Sequence, residues 1–179
     1  MFPELTTDRL ALRQILPGDQ LFIFEGLSNR AVIPFYGVRY DTFEATSVQM
    51  DWYQQMMVKG TGLSWKIVGK DSGMPMGVIS VYHYKKEHNK AELGFWLLPA
   101  YWKKGFMQEA LKAIIPYWQR QKKIHRLEAF IEVENISSIR VMERAGFTLE
   151  GTMVDCEVKD GHYISLHIYS LLTPDELNS

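Results

Sequence analysis

The feature that most constrains this chain is a change of hydrophobic period inside "GFWLLPAYWKKGFMQEAL", Gly94 to Leu111. Up to Leu98 the residues read as a strand, and Pro99, which has no N–H to give to a sheet ladder, ends it. From Phe106 to Gln121 the apolar positions Met107, Ala110, Leu111, Ile114, Ile115 and Trp118 recur at helical spacing. A strand that turns this quickly into a helix leaves backbone N–H groups unpaired at the helix start. Those donors and the positive end of the helix dipole make an anion site. Gly105 permits a conformation or a close approach that a Cβ would obstruct, and Lys103 and Lys104 bring charge complementary to a phosphate. The polar chemistry of the turn lies in its main chain.

The rest of the chain places this turn in a mixed α/β domain. "RLALR" (Arg9 to Arg13) reads as a first strand, and "DQLFIFEGLS" as a short helix capped by Asp19. After the aromatic loop "VIPFYGVRY" comes a helix from about Thr42 to Lys59, with Asp41 and Glu44 as a capping box and Gly60 at its end. Three strands fill Leu63 to Leu98, with Gly73 and Asn89 at their turns. "RLEAFIEV" is a further strand, and "NISSIRVMERAGF" a helix that stops at Gly146. A hairpin around Asp160-Gly161 closes the chain. No repeat, low-complexity segment or linker divides it, so residues 1–179 are expected to form one domain with a mostly antiparallel sheet flanked by helices.

Composition narrows the class. Of 179 residues, 46% are hydrophobic and 23% charged, which is a globular balance. A net charge of −1 supplies no basic field for nucleic acid. The single cysteine, Cys156, excludes an internal disulfide and suits a reducing compartment. The N-terminus has no apolar signal region, and no uncharged run is long enough for a membrane span, so a cytoplasmic location is expected.

A second signal follows one strand and one helix later. In "NISSIRVMERAGFTLEG", Asn135 stands at the strand end, Ser138 three residues on, and Gly146 at the helix close. Asn135 is accounted for as a helix cap, Ser138 as a first-turn serine and Gly146 as a helix stop. Jointly with "LTTDRLALR", "AELGFWLLPAYWKKGFMQEAL" and "DGHYISLHIYSLL", however, this stretch resembles the GNAT superfamily of N-acetyltransferases, and within it the RimJ/RimL branch of ribosomal-protein acetyltransferases. The resemblance spans nearly the whole chain in the expected order.

The resemblance implies a GNAT-type domain that uses acetyl-CoA as co-substrate and no metal. The strand Phe95, Trp96, Leu97 and Leu98 would pair its backbone with the pantetheine arm. Lys103, Lys104, Gly105, Phe106, Met107 and Gln108 would wrap the pyrophosphate with backbone amides. The branch loop usually reads Trp-Gly-Lys-Gly-Tyr-Ala. Trp102, Lys104, Gly105 and Phe106 fit, whereas Lys103 replaces the first glycine and Met107 the small final residue. Lys103 then needs a backbone conformation allowed to a non-glycine residue, and Met107 has to turn toward the core. Asn135 would reach the pantetheine arm, and Ser138 would protonate the departing CoA thiolate, since "IRVMERAG" holds no tyrosine for that task.

The implied reaction is direct attack of a neutral amine on the thioester. An N-terminal α-amine, with a pKa near 7.7–8.0, is partly neutral at physiological pH, whereas a lysine amine near about 10.4 is not. A weak base therefore suffices for an α-amine. Glu92 is the first candidate and Glu157 the second; a solvated strand carboxylate is the competing account of Glu92. The amide of Phe95 or Trp96 would polarise the thioester carbonyl. The acceptor is a primary amine, either a protein N-terminus or a small molecule such as an amino acid, a polyamine or an antibiotic. A non-catalytic acyl-CoA-binding module is the rival reading. A homodimer would form through the closing hairpin or an edge strand. Five histidines lack ligand spacing for a metal, and Phe35, Tyr36 and Tyr40 either border the acceptor or pack the core.

Overall fold

Two short strands, β1 (Leu5–Thr6) and β2 (Leu10–Gln14), lead into helix α1 (Gln20–Leu27) and then α2 (Ser47–Lys59). The meander of β3 (Leu63–Gly69), β4 (Pro75–Lys85) and β5 (Lys90–Leu97) follows, and then α3 (Phe106–Gln121). Strand β6 (Arg126–Glu132), helix α4 (Ile136–Arg144) and the hairpin β7 (Thr148–Lys159) and β8 (His162–Leu172) complete the order in this computed structural model, which describes residues 2–174. The strands form one eight-stranded sheet in the order β1-β2-β3-β4-β5-β6-β8-β7. Every neighbouring pair is antiparallel except β5 and β6, which run parallel.

Local chemistry explains most boundaries. Helix α3 begins and ends where the apolar spacing places it, and Gly146, at φ +89°, ends α4 as the left-handed residue. Asp160 and Gly161, at φ +50° and +81°, make the two-residue turn that suits the twist of a hairpin. Two caps differ from expectation. Asp19 does not cap α1; its carboxylate accepts from Leu16 N–H at 2.8 Å and from the Lys66 ammonium. Asp41 does not open α2 either. A 3-10 turn (Glu44–Thr46) precedes that helix, and Thr42 Oγ1 accepts from Ala45 N–H at 3.2 Å.

Strand alternation gives the sheet two apolar faces. On one, Trp65, Ile67, Leu93 and Leu127 pack with Leu111, Ile114 and Trp118 of α3 and Met142 of α4. On the other, Val78 and Trp96 pack with Phe22, Ile23 and Leu27 of α1 and Tyr53 of α2. Gly26 makes room for the Trp96 ring, because a Cβ there would lie 2.2 Å from it.

The parallel join between β5 and β6 is short and clamped by charge. Glu128, buried in β6, accepts from Lys90 Nζ at 3.1 Å and from Arg126 Nε at 2.7 Å. Arg126 also pairs with Glu150, which accepts from Ser170 Oγ at 2.6 Å. Burial works against the Glu128 charge, but the bonds from Arg126 and Lys90 outweigh it and hold its carboxyl below the usual range. Hydrogen bonds from Arg126 and Ser170 pull Glu150 from 4.5 down to about 2.

Because both carboxyls have depressed pKa values when folded, the unfolded chain binds more protons in acid. Their contribution to stability is present above the ordinary carboxylate range and is lost as pH falls from 4.5 toward about 2. Equilibrium unfolding followed across that window is expected to show a steep loss of stability. Arg126→Met is expected to flatten the pH curve and lower stability at pH 7.

Candidate active site

The sheet opens at its centre. Strands β5 and β6 pair only at Lys90/Arg126, Ala91/Leu127 and Glu92/Glu128. Beyond that point β5 continues along β4 as far as Leu97/Gly77, and β6 along β8 as far as Glu132/Leu166. Among the described residues no β5–β6 pairing follows Glu92, so the strands bound a gap. Leu98 N–H donates to Met76 C=O at 2.8 Å. In an antiparallel pair the groups that face the partner recur every second residue. Trp96 and Gly94 therefore turn their amides toward β4, whereas Phe95 and Leu97 turn theirs toward the gap. The Leu97 carbonyl is occupied by the Trp102 indole N–H at 2.7 Å. The N–H and C=O of Phe95 and the N–H of Leu97 line the opening.

At the upper end of the gap lies the loop before α3. Gly105 sits at φ +79°, and a Cβ there would meet nothing closer than an Arg9 nitrogen at 3.6 Å. Conformation rather than crowding is therefore what requires glycine. Lys103 also lies in the left-handed region, at φ +59°, where an L side chain costs about 1–2 kcal/mol. The first helical bond runs from Glu109 N–H to Gly105 C=O at 3.0 Å. Among the described residues, the backbone N–H groups from Lys103 to Gln108 donate to no protein acceptor. A run of free amides at a helix start is what an anion site requires.

The loop's side chains mostly look elsewhere. Met107 is buried in the core, as its bulk requires. Gln108 Nε2 donates to Val141 C=O at 2.7 Å, and Lys104 Nζ to Ala100 C=O at 2.7 Å. Sequence reasoning missed the groups that brace the loop from behind. Glu109 accepts from Thr7 Oγ1, from Arg9 N–H at 2.8 Å and from Arg9 Nε at 2.6 Å. Arg9 also donates to Lys104 C=O at 3.2 Å and stacks 4.5 Å from the Phe106 ring centroid. Burial opposes the Glu109 charge, but these hydrogen bonds prevail and lower its pKa. The only local signal was an acid in the first turn of α3.

Asn135 caps α4, its Oδ1 accepting from Ser138 N–H at 3.1 Å. Both residues are half-buried at the end of β6, across the gap from β5. Glu92 lies at the apex of the opening, on the α1/α2 face, and contacts His83 Nδ1 at 3.0 Å. Tyr82 covers Gly94 on the same face; burial first, and then the Glu92 charge, push its hydroxyl up to about 12. Tyr36 has its pKa raised strongly by burial and by nearby Tyr53, Tyr82 and Tyr40. Tyr40 donates to Gln49 Oε1 at 3.1 Å. The Tyr53 hydroxyl and the Trp96 indole N–H are buried in the same core. Tyr36 and Tyr40 thus pack against the α1/α2 core, and Tyr36 lies near Tyr82, which in turn neighbours Glu92.

Glu157 lies apart from Glu92, exposed on edge strand β7 with β6 and β8 between. It shares a face with Lys159, which bonds to Glu132 and to the Pro34 carbonyl. No group of three or more His, Cys, Asp or Glu able to hold a metal occurs among the described residues. His83 and His167 have protein partners instead, the latter Thr152 Oγ1 at 2.8 Å. No described helix is long and apolar enough to cross a membrane.

Comparison with known proteins gives the family and the fold. The family model for an acetyltransferase (GNAT) domain matches residues 9–148. An uncharacterized N-acetyltransferase of Bacillus subtilis, YoaA, is 29% identical over 98% of this chain and 100% of its own length. The ribosomal protein uS5-alanine N-acetyltransferase of Escherichia coli is 27% identical over 96% of this chain and 92% of its own. Among solved structures, a ribosomal L7/L12 alpha-N-protein acetyltransferase, RimL, in complex with coenzyme A superimposes with a TM-score of 0.86. It is 22% identical and covers 95% of this chain and 98% of that one, a likeness of fold.

Two outcomes follow from the loop. Lys103→Gly is expected to stabilise the fold by about 0.5–1 kcal/mol, the relief of left-handed strain less the entropy of a glycine; equilibrium denaturation measures it. Glu109→Gln is expected to cost about 1–2 kcal/mol, because it weakens charge-assisted bonds to Arg9. It should also weaken acetyl-CoA binding in a calorimetric titration by releasing the braced loop.

Proposed function

Since this chain belongs to the GNAT acetyltransferase family, its reaction is acetyl transfer from acetyl-CoA to an amine, and we propose that the acceptor is the α-amine of a protein N-terminus. One observation carries the reading of the site: the gap between β5 and β6 runs from Glu92 to the free amides of Lys103–Gln108. Its dimensions of chemistry match the co-substrate. Unpaired strand groups suit the amides of pantetheine, and a helix start suits its pyrophosphate. We read the whole chain as a single catalytic domain.

In this scheme the acetyl thioester lies beside Phe95, whose N–H faces the gap and donates to the oxyanion that develops on attack. Trp96, the other donor weighed from sequence, is disfavoured because its amide turns to β4. Glu92 accepts a proton from the attacking amine. Ser138 Oγ protonates the departing thiolate, whose ordinary pKa near roughly 8.5 makes the demand on the serine small. Asn135 orients that serine through the cap bond and reaches toward the pantetheine arm. Glu157, exposed and separated from β5 by β6 and β8, stands second as base. The protein N-terminus is favoured over a small-molecule amine by the uS5-alanine N-acetyltransferase relative and by the modest base an α-amine needs.

Calorimetric titration with acetyl-CoA is expected to give micromolar binding that Gly105→Trp abolishes and Asn135→Ala weakens. Thiol release should then be screened with peptides bearing N-terminal Ala or Ser, with lysine peptides blocked at the α-amine, and with polyamines. Activity on free N-termini, with kcat reduced about tenfold or more in Ser138→Ala and in Glu92→Gln, supports the reading. Turnover confined to polyamines would move the acceptor to small molecules, and no acetyl-CoA binding up to millimolar would refute the site.

A further inference from the structure

His83 has no place in the reaction as described, yet the backbone is bent to bring it there. In register, Tyr82 lies opposite Glu92. Successive residues of a regular strand face opposite sides, so a regular residue 83 would point away from Glu92 toward α3. Instead the pairing breaks between Tyr82 and Lys85, and His83 takes a left-handed backbone at φ +50°. That conformation is uncommon for a residue other than glycine and persists only where the surrounding structure holds it. The bulge returns the imidazole to the face of Tyr82 and Glu92, as such bulges do beside active sites. Nδ1 lies 3.0 Å from Glu92 Oε1, and the ring stands edge-on to Tyr82 at a centroid distance of 4.9 Å. Tyr84, past the bulge, resumes the opposite face and packs on Trp118.

Exposure differs along this pair in a useful direction. The Glu92 side chain is 26% exposed and that of His83 62%. Tyr82 covers the inner side, while Trp52, Gln55, Lys59 and Thr61 flank the imidazole outside. Lys59 is the one charged group among these flanking residues.

We propose that His83 is the proton exit of the acetyl transfer: it takes from Glu92 the proton lost by the acceptor amine and delivers it to solvent. This rests on the reading of Glu92 as base. The overall reaction converts an ammonium and acetyl-CoA into an amide, CoA thiol and one proton. Two protons leave the nitrogen; one ends on the CoA sulfur by way of Ser138, and the other must reach water. With His83 resting as the Nε2–H tautomer, Nδ1 accepts that second proton from the Glu92 carboxyl and Nε2 releases one to solvent. Glu92 returns to its carboxylate, while the ring is left as the Nδ1–H tautomer; proton exchange with water at the 62% exposed imidazole restores the Nε2–H form before the next turnover, and no further reactant is needed.

The test uses the full-length protein, acetyl-CoA and whichever amine supports thiol release in the screen above. His83→Asn tolerates the left-handed backbone and still offers Glu92 an N–H, but it cannot relay a proton. His83→Ala opens space for added imidazole. Both variants are expected to lose about tenfold or more in kcat, with KM for acetyl-CoA and the melting temperature unchanged. Imidazole should restore His83→Ala in a concentration-dependent way. Full activity in His83→Asn, or no rescue of a slowed His83→Ala, would overturn the relay. Glu92→Gln separates the two claims. If it is slow while the His83 variants are normal, the relay alone fails, and if it is fully active, the base assignment falls with it.

Discussion

The parting of β5 from β6 after a three-pair join is the constraint on which the site depends. Each strand keeps its other neighbour: β5 stays on β4 and β6 stays on β8. The backbone groups exposed by the parting are therefore rigidly held, though they face no partner. Unsatisfied strand groups are costly unless water or a ligand meets them. The Lys90–Glu128–Arg126–Glu150 ladder fixes where the parting begins, and Glu92 is the last β5 residue of the join. The apex of the opening and the proposed base are thus set by the same register.

Two kinds of tension surround this opening. At its upper end Lys103 and Gly105 hold left-handed backbone so that successive amides converge, and Arg9 and Glu109 tie β2 to the first turn of α3. At its apex His83 adopts another left-handed conformation and breaks the ladder of β4. Left-handed backbone also occurs at Asn89, Lys123, Asp155 and Asp160; at Lys103 and His83 it borders the proposed cradle and the proposed base. Tyr82, whose hydroxyl is pushed up in part by the Glu92 charge, covers the α1/α2 face of the opening over Gly94.

Much of the fold was legible because it is written in local periodicity. The span of α3, the turn at Asp160-Gly161 and the stop at Gly146 need only near neighbours to be read. The free amides of the loop before α3 were legible for the same reason: a helix start always leaves them. What escaped depends on partners distant in sequence. Asp19 looked like a helix cap, but its partners are Leu16 and Lys66. The Arg9–Glu109 brace joins residues a hundred positions apart. The choice between Phe95 and Trp96 needed the phase of β4, and the role of His83 needed a bulge that no composition announces. β1 is too short to carry a period at all.

The most direct test of the central claim is amide hydrogen exchange, residue by residue, with and without CoA. The free amides of Phe95, Leu97 and Lys103 through Gln108 are expected to exchange rapidly alone and to become protected together when CoA binds, while Trp96, already paired to β4, changes little. Protection absent from these positions despite saturating CoA, or confined to another surface, would contradict the assignment of the gap and its loop as the cradle.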